Sequence, residues 1–434
     1  MKTFSLFALL VVLTSSAAAV ESRPSIEDAA DKVESKVIQW RRHIHEHPEL
    51  SNREFKTAEL VAKHLKALGL EVTTKVAHTG VVGILKGKGD GPVVALRADM
   101  DALPVTERVD LPFASKVKTQ YNDQEVGVMH ACGHDTHVAM LMGVAEVLSK
   151  HRDAFSGTIK FIFQPAEEGA PKGEEGGAEL MVREGVLSNP DVDVVFGLHI
   201  SSRMKVGSIG YRKGGLMAAV DNFKVTIHGK QVHGSTPWNG IDPIVTAAQM
   251  INNIQTIVSR QLPLTKNAAV ITVGSIHGGV RSNIIPEQVE MLGTIRTLDE
   301  GMRQQLHKNL RDVVKHSAAS MGAKATLELP YTTAYPVTYN NPELVTKMLP
   351  SLEAVLGASN VLEMNAITGA EDFSFYAEKV PSFFFFLGGR KASMKPSEAP
   401  AHHTPDFFID ESGMKAGVKV MSQLALDYLA MHQE

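Results

Sequence analysis

Cysteine is nearly absent. The 434-residue chain carries one, Cys132, so no intramolecular disulfide can staple the fold. A basic surplus is absent too. Forty-eight acidic against 44 basic residues give a formal charge of −4, which leaves no cationic excess for nucleic acid or an anionic membrane surface. The chain has no long run of like charge, no internal repeat and no low-complexity tract. Its most apolar stretch, Phe4 to Leu13, is shorter than the roughly 20 residues a membrane-spanning helix needs. H-E-x-x-H, G-x-S-x-G and the Walker loop are all missing, so the mechanisms built on them lack residues.

What is present at the start of the chain reads as an export signal. Lys2 supplies the positive end, Phe4–Leu13 the apolar segment and Ala17-Ala18-Ala19 a small-residue cleavage site. Residues 1–19 are therefore expected to be removed, and the mature protein to be secreted or periplasmic. No cysteine follows to carry a lipid anchor. Exported proteins pair their cysteines or avoid them. An unpaired Cys132 is then buried and inert, intermolecular, or bound to a metal.

The remaining length calls for more than one domain. Val33, Val37, Trp40 and Ile44 repeat at helical spacing up to Pro48, as do Ala58, Val61, Leu65 and Leu68. Short apolar runs at 81–85, 93–96, 159–163 and 192–198 alternate with helical stretches at 138–148 and 178–182. This pattern predicts an α/β domain with a largely parallel sheet. Residues 223–227, 269–273, 289–295 and 325–329 read as strands, with helices over 243–257 and 302–321. Their β-α-β-β-α-β order is that of a ferredoxin-like module. The α/β pattern resumes after Pro342, with a buried strand at 383–387 and a last helix over 411–431. The expected domains are thus 24–214 with 332–434, and an inserted module over 215–331.

Four segments carry chemistry. Met129–His137 packs His130, Cys132, His134 and His137 just before a helix, and Cys and His are good ligands for zinc-like ions. Glu167-Glu168 follow a predicted strand, where sites of open α/β sheets lie. One of two adjacent carboxylates can bind metal while the other moves protons. His199 follows the apolar strand ending at Leu198, and His402-His403 stand in a fourth segment. By contrast, His43, His45 and His47 alternate within a helix and cannot all share one face.

Taken in order, Arg42–Leu50 (RHIHEHPEL), Leu96–Pro104 (LRADMDALP), His130–His137 (HACGHDTH), Phe163–Gly169 (FQPAEEG), Gly279–Pro286 (GVRSNIIP), Gly293–Arg296 (GTIR) and His403–Pro405 (HTP) resemble one known group. That group is the aminoacylase and glutamate carboxypeptidase metallopeptidase superfamily, in its hippurate hydrolase and auxin-conjugate amidohydrolase branch. The resemblance runs from about Val37 to the C-terminus. It implies a zinc-peptidase-like catalytic domain with an inserted ferredoxin-like lid that dimerises. It also implies two divalent ions (Zn, Mn, Co or Ni) held by Cys132, His134, Glu168, His199 and His403. His403 is taken over His402 because it fits the His-x-Pro order. Glu167 would be the general base, with His233, Asn283 and Arg296 of the lid gripping substrate and Asp99 orienting the site. The segment His233-Gly234-Ser235-Thr236-Pro237 departs from the branch's usual His-Ala-Ala-x-Pro.

The implied activity is hydrolysis of the amide bond of N-acyl amino acids or small peptides. A dipeptidase or carboxypeptidase of the same fold is the nearest alternative. The rival of another class is a non-catalytic periplasmic binding protein. Such a binder has no need of a carboxylate, Glu167, that stands beside the metals without ligating them. The expected partners are a small-molecule substrate and a second copy of the chain in a homodimer or higher oligomer, with neither nucleic acid nor membrane.

Overall fold

A computed structural model describes residues 25–332 and 334–432; the signal-peptide reading of residues 1–19 lies outside them. Among the described residues no helix is long and apolar enough to cross a membrane.

The predicted strands assemble into one eight-stranded sheet. Its centre is parallel: Thr158–Gln164, Val93–Asp99, Val194–Lys205 and Ser382–Arg390 run side by side. The flanks are antiparallel, where Gly80–Lys86 pairs with Thr158–Gln164 and Ile209–Tyr211 with Ser382–Arg390. The sheet is therefore mixed, not largely parallel. Neither strand announced its direction, because each pairs with a strand far away in the sequence and an apolar run reads the same in either direction.

Helices cover both faces, so the central strands are apolar on both sides. Phe383, Phe385 and Leu387 join one core with Ile44, Leu141 and Val418, while Phe384 and Phe386 join the other with Met181 and Phe373. The helix His134–Ser149 is buried along almost its whole length. At roughly 1.5–3 kcal/mol for each large apolar side chain buried, it is held by packing on all sides.

The predicted β-α-β-β-α-β module forms a second sheet. Its order is Ala269–Gly278, Gln288–Thr297, Ala219–His228, Lys324–Glu328, antiparallel throughout. The helices Pro243–Gln261 and Glu300–Ser320 close a separate core over one face, with Phe223, Met250, Ile295 and Leu310 inside. Both helices start on an Asp cap: Asp242 accepts from Ile244 N at 2.8 Å, and Asp299 from Met302 N at 2.9 Å.

Strand direction also explains a misplaced residue. The sequence puts His199 just past a strand, but the strand runs on to Lys205. Val93–Asp99 pairs with it only as far as Gly197. Beyond that residue one flank is open, while Ser382–Arg390 still supports the other. His199 therefore sits inside a strand and still faces space beyond the carboxyl end of its neighbour.

Candidate metal centre

Four segments converge at this opening. Cys132 and His134 flank Gly133, which has φ of +94° and caps the buried helix. A Cβ on Gly133 would lie 2.4 Å from Ile200 Cγ2, so only glycine lets this loop press against the strand that carries His199. Glu167 and Glu168 follow the Thr158–Gln164 strand, and His403 comes from the loop after Ser382–Arg390.

Three overlapping sets of potential ligand atoms lie here, each within 4.8 Å: Cys132, His134 and His199; Cys132, Glu168 and His403; His134, Glu167 and Glu168. Cys132 Sγ is 3.3 Å from His199 Nε2 and 3.2 Å from His403 Nε2. His403 Nε2 is also 3.0 Å from Glu168 Oε1. His403 holds a left-handed backbone, φ +61°, a strain that persists only where the surroundings fix it.

The donor chemistry fits cations. His199 gives its Nδ1 proton to Ile200 O at 2.6 Å, which leaves Nε2 as a lone pair facing Cys132. Burial and then His137 hold that imidazole well below its usual pKa, in the neutral form a ligand needs. His134 Nδ1 faces Asp101 Oδ1 at 3.3 Å, and its buried Nε2 makes no hydrogen bond among the described residues. Burial opposes a charge on His134, but Asp99 and Asp101 outweigh it and push the group up to about 10. The field that draws a proton there draws a metal ion as well. Burial, followed by Glu168 and Glu167, pushes the Cys132 thiol well above its ordinary range. A thiolate at this spot requires positive charge beside it.

His137, His402 and His45 have other partners, although His402 Nδ1 also lies 3.7 Å from Cys132 Sγ, while neither ring nitrogen of the buried His130 has a partner among the described residues. His137 donates to Asp99 Oδ1 at 2.6 Å and accepts from Ile200 N at 2.8 Å. His402 accepts from Ser202 N at 3.2 Å, and its Nδ1 lies 3.2 Å from Cys132 O. His45 bridges Asp135 and Glu107 at 2.8 and 3.2 Å, in keeping with its exclusion from the metal set.

A second layer, unread from the sequence, holds these groups. Asp101 accepts from Glu167 N at 3.1 Å, Glu168 N at 3.0 Å and Ser51 Oγ at 2.8 Å while facing His134. It ties the carboxylate loop to the histidine, and so orients His134 at closer range than Asp99, whose Oδ1 is 3.7 Å from His134 Nδ1. Arg97, fully buried, bonds Asp99, Gln164, Glu371 and Asp372. Its planar fork serves all four, which a lysine could not. Glu167 lies against this network, with its Oε1 3.4 Å from Asp372 N. Burial, then Glu371 and Glu168, push its carboxyl well above the usual range. Glu371-Asp372 was visible as an acidic pair just before the apolar Phe373, but such pairs usually mark exposed turns.

Cys132, Glu168, His199 and His403, though not His134, line a chamber of about 790 Å³ together with Glu167. Arg296, from the module's sheet, lines it too, and its Nη1 lies 3.4 Å from Thr368 O. Among the described residues it has no carboxylate partner. His233 and Asn283 are elsewhere: they sit together across a short ladder in the module, Gly234 N donating to Asn283 O at 2.8 Å, and neither lines this chamber. His233 Nδ1 is 2.7 Å from Ser235 Oγ on an exposed loop.

Comparison with known proteins shows what the chain as a whole is similar to. Residues 95–427 match the profile of peptidase family M20/M25/M40. Thermostable carboxypeptidase 2 of Saccharolobus solfataricus is 44% identical over 93% of this chain and 98% of its own. N-acetylcysteine deacetylase of Bacillus subtilis is 38% identical over 92% of this chain and 98% of its own. The solved structure of the Bacillus subtilis YXEP protein, a dinuclear metal-binding peptidase of the M20 family, superposes with a TM-score of 0.76. It is 35% identical, over 92% of this chain and 99% of the other.

Proposed function

The chain belongs to peptidase family M20/M25/M40, and from that premise we propose how its residues divide the work of cleaving an amide. It is a metal-dependent amidohydrolase acting on N-acyl amino acids or small peptides, with two divalent ions as cofactor. The observation that carries the assignment is Glu167, a buried carboxylate set beside five convergent donors.

Cys132, His134, Glu168, His199 and His403 would hold the ions. When bound, such a pair lowers the pKa of water and polarises a carbonyl. Glu167 takes the proton of the attacking water on its carboxylate and returns it to the leaving amine nitrogen. Asp101 keeps the carboxylate loop and His134 in register. Arg296 offers two parallel N–H groups to the substrate carboxylate.

The 44% identity to a carboxypeptidase keeps peptide hydrolysis as the second reading. A panel of N-acyl amino acids and free dipeptides, run with Mn, Zn, Co or Ni and again after chelation, decides between them. Hydrolysis of the acyl amino acids that stops on chelation and returns with metal is the expected result. Cleavage of dipeptides alone would make the enzyme a dipeptidase.

The module is assigned as a lid that pairs with its copy. Among the described residues its edge strand Ala269–Gly278 has no neighbour on one side, and Val270 and Ile276 on it are exposed; such an edge invites pairing. His233 and Asn283 then serve the partner's chamber, where His233 helps hold the oxyanion. Homodimers of Glu167→Gln and of His233→Ala should each be nearly inactive. In a mixed dimer, one site carries both defects and the other neither, so activity should return on subunit exchange. Verified heterodimers that stay inactive would mean that His233 does not act in trans. Export is also proposed, from the leader composition, and the mass of the mature chain reads it out: cleavage after Ala19 is expected, and an intact N-terminus would refute it.

A further inference from the structure

One wall of the chamber is unlike the rest. Met204, Met217, Met364, Ile367 and Phe386 line it and belong to one apolar cluster. A glycine makes room for it. A Cβ on Gly210 would lie 2.8 Å from Met364 Sδ and 2.9 Å from Met204 Cε, so both thioethers lie over that glycine.

The wall adjoins the carboxylate anchor. Arg296 reaches Thr368 O, the residue between Ile367 and Gly369. The same segment is stitched to the Met217 strand, since Ala218 N donates to Ile367 O at 3.1 Å and to Gly369 O at 2.9 Å. In an amino acid the side chain leaves the carbon that bears the carboxylate. A carboxylate on Arg296 therefore sets that side chain against the methionines.

We infer that this wall is the subsite for the side chain of the leaving, carboxyl-terminal residue, and that it selects large apolar side chains such as Leu, Met and Phe. The inference rests on the proposed amidohydrolase function and on Arg296 as the carboxylate anchor. Thioethers are flexible and polarisable, so the wall adapts to branched, linear and aromatic shapes. A cationic side chain would lose its hydration there, and Arg203, which also lines the chamber beside Met204, would repel it.

The test holds the acyl group fixed as acetyl and varies the amino acid through Gly, Ala, Leu, Met, Phe, Asp and Lys, using metal-loaded enzyme. We expect kcat/KM for Leu, Met and Phe to exceed that for Gly and Lys by roughly tenfold or more. Met364→Ala should shrink the Leu-to-Gly ratio severalfold. Gly210→Ala meets only the flexible ends of two methionines, so the fold tolerates it. It should push the thioethers toward the chamber and penalise Phe more than Ala as the leaving residue. A second series at constant Leu, from acetyl to benzoyl, should keep its order in both variants. A flat or charge-favouring wild-type profile overturns the inference. So does a change in the variants that follows the acyl group instead. If the wild type cleaves no member of either series, the amidohydrolase reading itself fails and takes the subsite with it.

Discussion

Glu167→Gln should lower kcat by roughly 10²-fold or more and leave the bound metal unchanged. The amide fills the same space and can still accept from Asp372 N, 3.4 Å from Oε1, but it cannot take a proton from water. The carboxylate it replaces is buried among Glu371, Glu168, Asp372 and Asp99. Burial and those neighbours push that carboxyl well above its usual range, so the amide matches the neutral form it favours without metal, and the metal-free variant should melt no lower than the metal-free wild type. Activity, metal content and thermal stability then separate: the first collapses while the other two hold. Glu168→Gln, one residue on and 3.0 Å from His403 Nε2, should instead shed metal. Finding these two phenotypes exchanged would reverse the assignment of the pair.

Cys132→Ser should lose metal and activity together. Two of the three donor sets share Cys132, so a weakened ligand there loosens both. The serine hydroxyl is nearly the same size and stays neutral, which makes it a far poorer ligand than a thiolate. The metal-free chain, by contrast, should fold as before, because the wild-type thiol is itself held neutral by burial and by Glu168 and Glu167 when no cation is present. Full activity in the serine variant, measured without added metal, would leave Cys132 as a small buried side chain and nothing more.

The parts of this architecture that could be read in advance are those with a local signature. The period of Val33, Val37, Trp40 and Ile44 marks a helix, the alternation of Phe223, Val225 and Ile227 marks a strand, and six elements in β-α-β-β-α-β order mark the module. His134, His199 and Glu168 stood out because such residues in clusters or beside apolar strands are unusual. Arg97 did not announce its role, since its partners Glu371 and Asp372 lie 274 and 275 residues away and no periodicity spans that distance. Asp101 was hidden for a related reason: three of its four partners are a histidine ring and two backbone amides from other segments. The place of His199 inside its strand depended on where the neighbouring strand stops, which is a property of pairing and not of composition. The methionine wall is drawn from residues 204, 217 and 364, each unremarkable in its own stretch of sequence.

The measurement that bears most directly on the central claim is the metal content of the active enzyme, taken together with the rate. Chelated protein is titrated with Mn²⁺ or Zn²⁺ while bound metal and hydrolysis of an N-acyl amino acid are followed side by side. Two ions per chain at full activity, with Glu167→Gln binding the same two and turning over little, is the result that five ligands and a separate proton carrier require. Full activity at less than one ion per chain would contradict it.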